Sequence, residues 1–149
     1  MTRAVFSGNR WIFTFFATGL LVVSCSLPNL ESRECAEARS ATKAFYAFHF
    51  GNEMAFSPAN LDQRARFLTP EFYDSLRQIR PDGDVFTSGT ADVPKAFRVG
   101  VCEEATGDFA KLQVLLFWRD DIRSEQRAIR VELAKRSGVW LIHKIIFDR

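Results

Sequence analysis

The sequence predicts an α+β domain in which N-terminal helices pack on one face of a curved antiparallel sheet. Three observations predict it. Between about residues 33 and 79 apolar residues recur at helical spacing behind polar caps. After Pro94 the period falls to two, and alternating runs are separated by short polar turns. The helices come first and the strands after, in a chain of 149 residues that is 47% hydrophobic and holds 15 Phe, enough for one core.

The first helix is expected over residues 33–50. Ser32 is placed to cap it, Glu34 and Glu37 favour the positive end of its dipole, Ala41, Ala44, Phe45 and Phe48 form its stripe, and Gly51 suits the C′ position. Asn60 is read as the cap of a short second helix running through Phe67. Thr69-Pro70-Glu71 opens a third, with Pro70 at N1, an apolar stripe of Phe72, Leu76 and Ile79, and a stop at Pro81. Asp82-Gly83-Asp84 reads as a turn and 86–94 as an irregular loop. In the first strand Phe97, Val99 and Val101 alternate with Arg98 and Gly100. A turn at 104–108 leads to a strand with Leu112, Val114, Leu116 and Trp118 on one face, and a charged loop follows at 119–125. Ile129, Val131 and Leu133 then face opposite to Arg130 and Glu132. Ser137-Gly138 turns the chain into a last strand, 139–147.

The first 24 residues read as an address. Arg3 and Arg10 flank the start, no acid precedes Glu31, and Trp11 to Val23 run apolar for roughly the length of a signal h-region, too short to span a bilayer. The run ends in Val22-Val23-Ser24-Cys25, which resembles the bacterial lipobox. That resemblance implies cleavage after residue 24 and lipidation of the Cys25 thiol with diacylglycerol and palmitate. It also implies residues 25–32 as a tether, and a membrane anchor resting on several acyl chains, each CH₂ worth about 0.8 kcal/mol. Ser26, where an Asp would imply retention at the inner membrane, implies the outer membrane, with the domain facing the periplasm. Loss of Arg3 and Arg10 leaves the basic residues equal in number to the 18 acids, which argues against a nucleic-acid partner. In an oxidising compartment Cys35 and Cys102 read as one disulfide, with two buried thiols as the alternative. Two distant Cys, with only His49 and His143 beside them, give no metal-ligand spacing, and no cofactor motif is present.

Residues 33–149 resemble the nuclear transport factor 2-like (cystatin-like) α+β superfamily, and more narrowly small bacterial envelope proteins of unknown function within it. The matching pieces are Phe45-Tyr46-Ala47-Phe48 on the first helix, Leu68-Thr69-Pro70-Glu71-Phe72-Tyr73, and a meander closing on Gly138-Val139-Trp140-Leu141-Ile142 and Ile145. The resemblance implies a cone between the first helix and the concave sheet, and Tyr46, His49, Phe50, Tyr73, Trp118 and Trp140 are the candidates to line it. The same aromatic residues are equally the material of a core.

Catalysis in such a cone needs acids, His or Tyr that point inward. Glu132 faces away from the apolar side of its strand, Glu103 is placed at a strand end, and Asp120, Asp121 and Glu125 sit among Arg119, Arg123 and Arg127, where they solvate one another. His49 remains the acid–base candidate, with an ordinary pKa of about 6.5, against a plain role at a helix C-terminus. His143 reads as a sheet-surface residue. Asp82, Asp84 and Asp92 could gather around Ca²⁺, but no 12-residue loop with a closing Glu follows, and they read as turn residues. These residues favour a non-catalytic binding module for a protein or a small apolar ligand, working through the cone mouth or through the sheet face bearing Arg98, Lys111, Arg130 and Glu132. An immunity-type inhibitor of an envelope toxin and an isomerase- or dehydratase-like enzyme are the rival expectations, and homodimerisation stays open.

Overall fold

The computed structural model describes residues 31–147; the expected leader, Cys25 and the first part of the tether lie outside the described residues. Helix α1 spans Arg33–Phe50, as its caps predict: Ser32 is extended and its hydroxyl accepts from the Cys35 amide at 3.2 Å. Gly51 departs from expectation. It closes the helix in the right-handed region (φ −81°), with its own N–H on the Ala47 carbonyl, so no left-handed cap is used.

Helix α2 begins earlier than expected, at Pro58–Arg64, because Ser57-Pro58 rather than Asn60 is the cap and first-turn pair. The Ser57 hydroxyl accepts from the Asn60 amide, while the Asn60 side chain donates back to the Ala55 carbonyl. A single 3₁₀ turn, Ala65–Phe67, leads to α3 at Pro70–Arg77, capped by Thr69 as predicted. Leu76 carries the apolar side of α3 into the core, but Ile79 lies beyond the helix and is exposed.

Four strands follow, β1 (Ala96–Thr106), β2 (Phe109–Arg119), β3 (Ser124–Arg136) and β4 (Val139–Phe147), in one antiparallel sheet of order β1-β2-β3-β4. The β3–β4 hairpin turns on Ser137 and Gly138, both at positive φ (50° and 81°), the geometry that matches strand twist in a two-residue turn. On the helix-facing side, Leu112, Val114 and Leu116 pack with Val131, Leu133, Phe45 and Tyr46, all fully buried. Each such side chain contributes about 1.5–3 kcal/mol by leaving water. The α2–α3 link docks on β4, where the Thr69 amide donates to the Ile142 carbonyl at 2.9 Å.

Strand β1 corrects the expected pattern. Its register shifts twice, between Val99 and Cys102 and again before Glu104. The bulge turns Val101 out to solvent, 64% exposed, and gives its inward place to Cys102. Cys102 is thereby set against Cys35 of α1, and the two form a disulfide. Arg39 of α1 donates to the carbonyls of Val99 and Gly100, satisfying backbone acceptors that the bulge frees from the ladder.

Helix α1 runs antiparallel to β1, with Cys35 bonded to Cys102 at one end and the Phe50 ring 5.0 Å from that of Phe97 at the other. The domain therefore has two poles. One carries the start of α1, where the tether would leave, with the β1–β2 and β3–β4 turns. The other carries the end of α1, the loop over residues 81–95 and the β2–β3 turn. No helix among the described residues is long and apolar enough to cross a membrane.

Candidate functional site

His49 falls on the last turn of α1, facing inward, and is completely buried. Its two ring nitrogens are both engaged. Arg64, at the end of α2, donates from Nε to His49 Nδ1 at 2.7 Å, and His49 Nε2 lies 2.9 Å from Asp84 Oδ2. A guanidinium can only donate, so Nδ1 must accept and the Nε2–H must donate to Asp84. The remaining valences are also filled. Arg64 reaches the carbonyls of Asn60 and Glu53, each at 2.7 Å, while Asp84 accepts from the Phe86 amide at 2.9 Å and from the Thr87 hydroxyl. Burial pulls the Arg64 guanidinium below its ordinary pKa, against the opposing pull of Asp84 and Glu53. The network ties α1, α2 and the 81–95 loop together, and every polar atom of His49 is spent on another residue of the domain.

Tyr46, one turn earlier, is buried among Phe45, Phe50 and Phe97 and donates its hydroxyl to the Phe86 carbonyl at 2.9 Å. Burial first, and then the charge of Asp84, raises its pKa well above 10. Trp118 is buried with its indole N–H on the Asp92 carbonyl at 3.2 Å. Trp140 lies at the other pole, where its indole donates to Glu37. Tyr73 is half-buried and bonds Asp62. Of the six residues expected to line a cone, the structure brings Tyr46, His49 and Phe50 together and sets Tyr73 and Trp140 apart from them. The space between α1 and the sheet is filled by side chains of the core.

The acids of the 82–92 segment do not converge. Asp84 turns inward to His49, Asp92 binds Arg123 in two hydrogen bonds of 2.9 and 3.0 Å, and Asp82 is exposed. Glu31, Cys35 and Cys102 lie close enough to hold an ion, but the disulfide occupies both sulfurs and leaves no thiolate. On the outer sheet face Lys111 pairs with Glu132 at 3.6 Å and Arg130 with Glu103 at 3.0 Å, while the Arg98 guanidinium lies 5.9 Å from the Phe117 ring. Glu103, expected at a strand end, stands instead within the bulged part of β1. His143 sits where the β3–β4 register shifts, its Nδ1 3.2 Å from the Thr69 hydroxyl.

Of the open concavities among the described residues, two bear on these side chains. A shallow groove of about 1030 Å³ runs beside the disulfide past Glu31, Arg39, Arg98 and Gly100. Its charges are largely spent internally, since Arg39 holds Glu31 and so keeps that carboxylate below its ordinary pKa. A cleft of about 470 Å³ lies at the other pole, walled by Met54, Phe56, Pro81 and Val93 and reaching Asp84. Beside it stands the β2–β3 turn, whose Ile122 is 97% exposed. The sequence passes over Ile122 because it is a single apolar residue between Asp121 and Arg123, in a stretch that reads as solvated charge. Arg64 is missed for a similar reason: Asp62-Gln63-Arg64 resembles any exposed helix face.

No family model matches the chain, and no curated protein does. Solved structures do. The fold is similar to a protein of unknown function from Bacteroides thetaiotaomicron VPI-5482, at 20% identity and a TM-score of 0.52, over 74% of this chain and 88% of that one. It is also similar to a chain of the type VI native effector–immunity complex Tae3–Tai3 from Ralstonia pickettii, at 18% identity and a TM-score of 0.55, over 74% of this chain and 94% of the other. At these identities the likeness shows a shared α+β fold.

Proposed function

We propose that this chain is a non-catalytic protein-binding domain of the immunity type. It holds and blocks a toxin that enters the cell envelope, and lipid on Cys25 keeps it at the outer membrane, facing the periplasm. The observation that carries the reading is the match of the described domain to nearly the whole of a chain in an effector–immunity complex. The interior agrees with it. His49, the acid–base candidate of the sequence, and Tyr46 beside it are buried with their polar atoms bonded within the domain, which speaks against a substrate reaching them. The helix-on-sheet layout also supports kinship with the cystatin-like superfamily, with the cone filled in this chain.

A small apolar ligand is the second reading. The cleft walled by Met54, Phe56, Pro81 and Val93 favours it, since its volume of about 470 Å³ falls in the range of ligand sites.

Expression of a toxin encoded beside this gene, directed to the periplasm, tests the proposal. Growth should stop, and co-expression of the full chain should restore it, with the two proteins copurifying. Lysis that continues at equal expression, with no copurification, would overturn it.

A further inference from the structure

We infer that the β2–β3 turn at the pole away from the tether is the docking element of this protein, with Ile122 as a knob that enters an apolar socket on a partner protein. The inference rests on the protein-binding reading above and names the surface that reading needs.

The turn is built to hold its shape. The Asp120 carboxylate accepts from the amides of Ile122 and Arg123 at 3.1 and 2.8 Å, and the Asp120 amide donates to the Arg123 carbonyl at 3.0 Å. Arg123 is then pinned by its double hydrogen bond to Asp92, and that bond holds the Asp92 carboxylate below its ordinary pKa. The Asp92 carbonyl takes the indole N–H of buried Trp118. The tip is thus anchored to the core through three consecutive links, yet the β-branched side chain at its apex stays 97% exposed. A fixed backbone and a stiff side chain lose little freedom on binding, which is the condition for a strong contact from a small area. The loop that carries Asp92 also walls the cleft bearing Met54 and Phe56, so an apolar knob and an apolar hollow adjoin at one pole.

Two other occupants fit less well. If cleavage leaves Cys25 as the first residue, the segment up to Glu31 spans at most roughly 22 Å. Helix α1 alone, between the tether and the tip, is about 27 Å long, so the tether does not cover Ile122. The anchor leaves from the opposite pole, so the bilayer does not reach the tip either.

The test uses the purified full chain titrated by calorimetry against the toxin that the wild type neutralises. Ile122→Asp should weaken binding at least 30-fold. Val101→Asp, an equally drastic change at the exposed bulge of β1, should stay within twofold. Asp92→Asn, which frees Arg123 without touching the knob, should weaken binding several-fold and speed tryptic cleavage after Arg119 and Arg123. Wild-type affinity in Ile122→Asp, or a loss confined to Val101→Asp, overturns the inference while leaving the immunity reading intact. If the wild type binds no toxin, the immunity reading has failed, and a photo-crosslinker at position 122 in the cell envelope decides the rest. Crosslinking to another protein that binds Ile122→Asp at least 30-fold more weakly supports the knob, whereas no adduct, or an adduct only with a second copy, overturns it.

Discussion

His49 shows how a residue suited to proton transfer can be committed to structure instead. Its ring lies between a guanidinium and a carboxylate that are both buried, so the three side chains stand or fall as a unit. Arg64→Ala removes the cation that faces Asp84 and His49 among the described residues, and should cost about 3–5 kcal/mol, measured by urea unfolding. A loss below about 1 kcal/mol would mean that water replaces the guanidinium freely. The sequence could not display this network, because its members are 15 and 35 residues from His49 and none carries a local signature. Asp84 in particular reads as a turn residue beside Gly83. Glu37 at the other pole makes a pH-dependent contribution. Hydrogen bonds from Lys135, then Arg33 and the Trp140 indole, hold it down to about 2. A depressed carboxylate stabilises the fold above its unfolded pKa of about 4.5 and loses that effect as pH falls toward 2. Glu37→Gln should therefore lower Tm at pH 7, and the gap to wild type should close between pH 4.5 and 2. A gap that persists at pH 2 would count against this ion-pair account.

At the scale of elements, local chemistry announces itself and long-range pairing does not. Ser32, Thr69-Pro70 and Ser137-Gly138 mark their helix starts and hairpin turn correctly, since each acts through neighbours within four residues. The inward faces of β2 and β3 follow from simple alternation. Strand β1 breaks that alternation with a bulge no periodicity reveals, and so simple alternation puts Val101 on the wrong face. The same bulge makes the Cys35–Cys102 bond geometrically available, closing a separation of 67 residues between α1 and β1. Replacing both cysteines with Ser should reduce stability by about 2–4 kcal/mol, seen as a lower Tm that reductant no longer changes. An unchanged Tm in the double variant would show that Arg39 and the α1–β1 packing alone hold that corner.

At the scale of the whole molecule, the proposed reading gives the domain an anchored end and a presenting end. The proposed tether would lead into the N-terminus of α1, while Ile122, the 81–95 loop and the cleft gather at the far pole. Lipidation should show as a mature protein lacking Met1 to Ser24, with acyl mass on Cys25. Cys25→Ser should move it from the membrane fraction to the soluble one, and an unaltered distribution would remove the anchor. The fold class and the helix-then-strand order are legible in the sequence because each repeats a local pattern. The proposed binding surface is not, because it is assembled from three loops brought together only by folding. The most direct measurement is of toxin activity against increasing amounts of the full chain. Activity should fall linearly and end at one chain per toxin, with the chain itself turning nothing over. Full toxin activity under a tenfold excess of chain would contradict it.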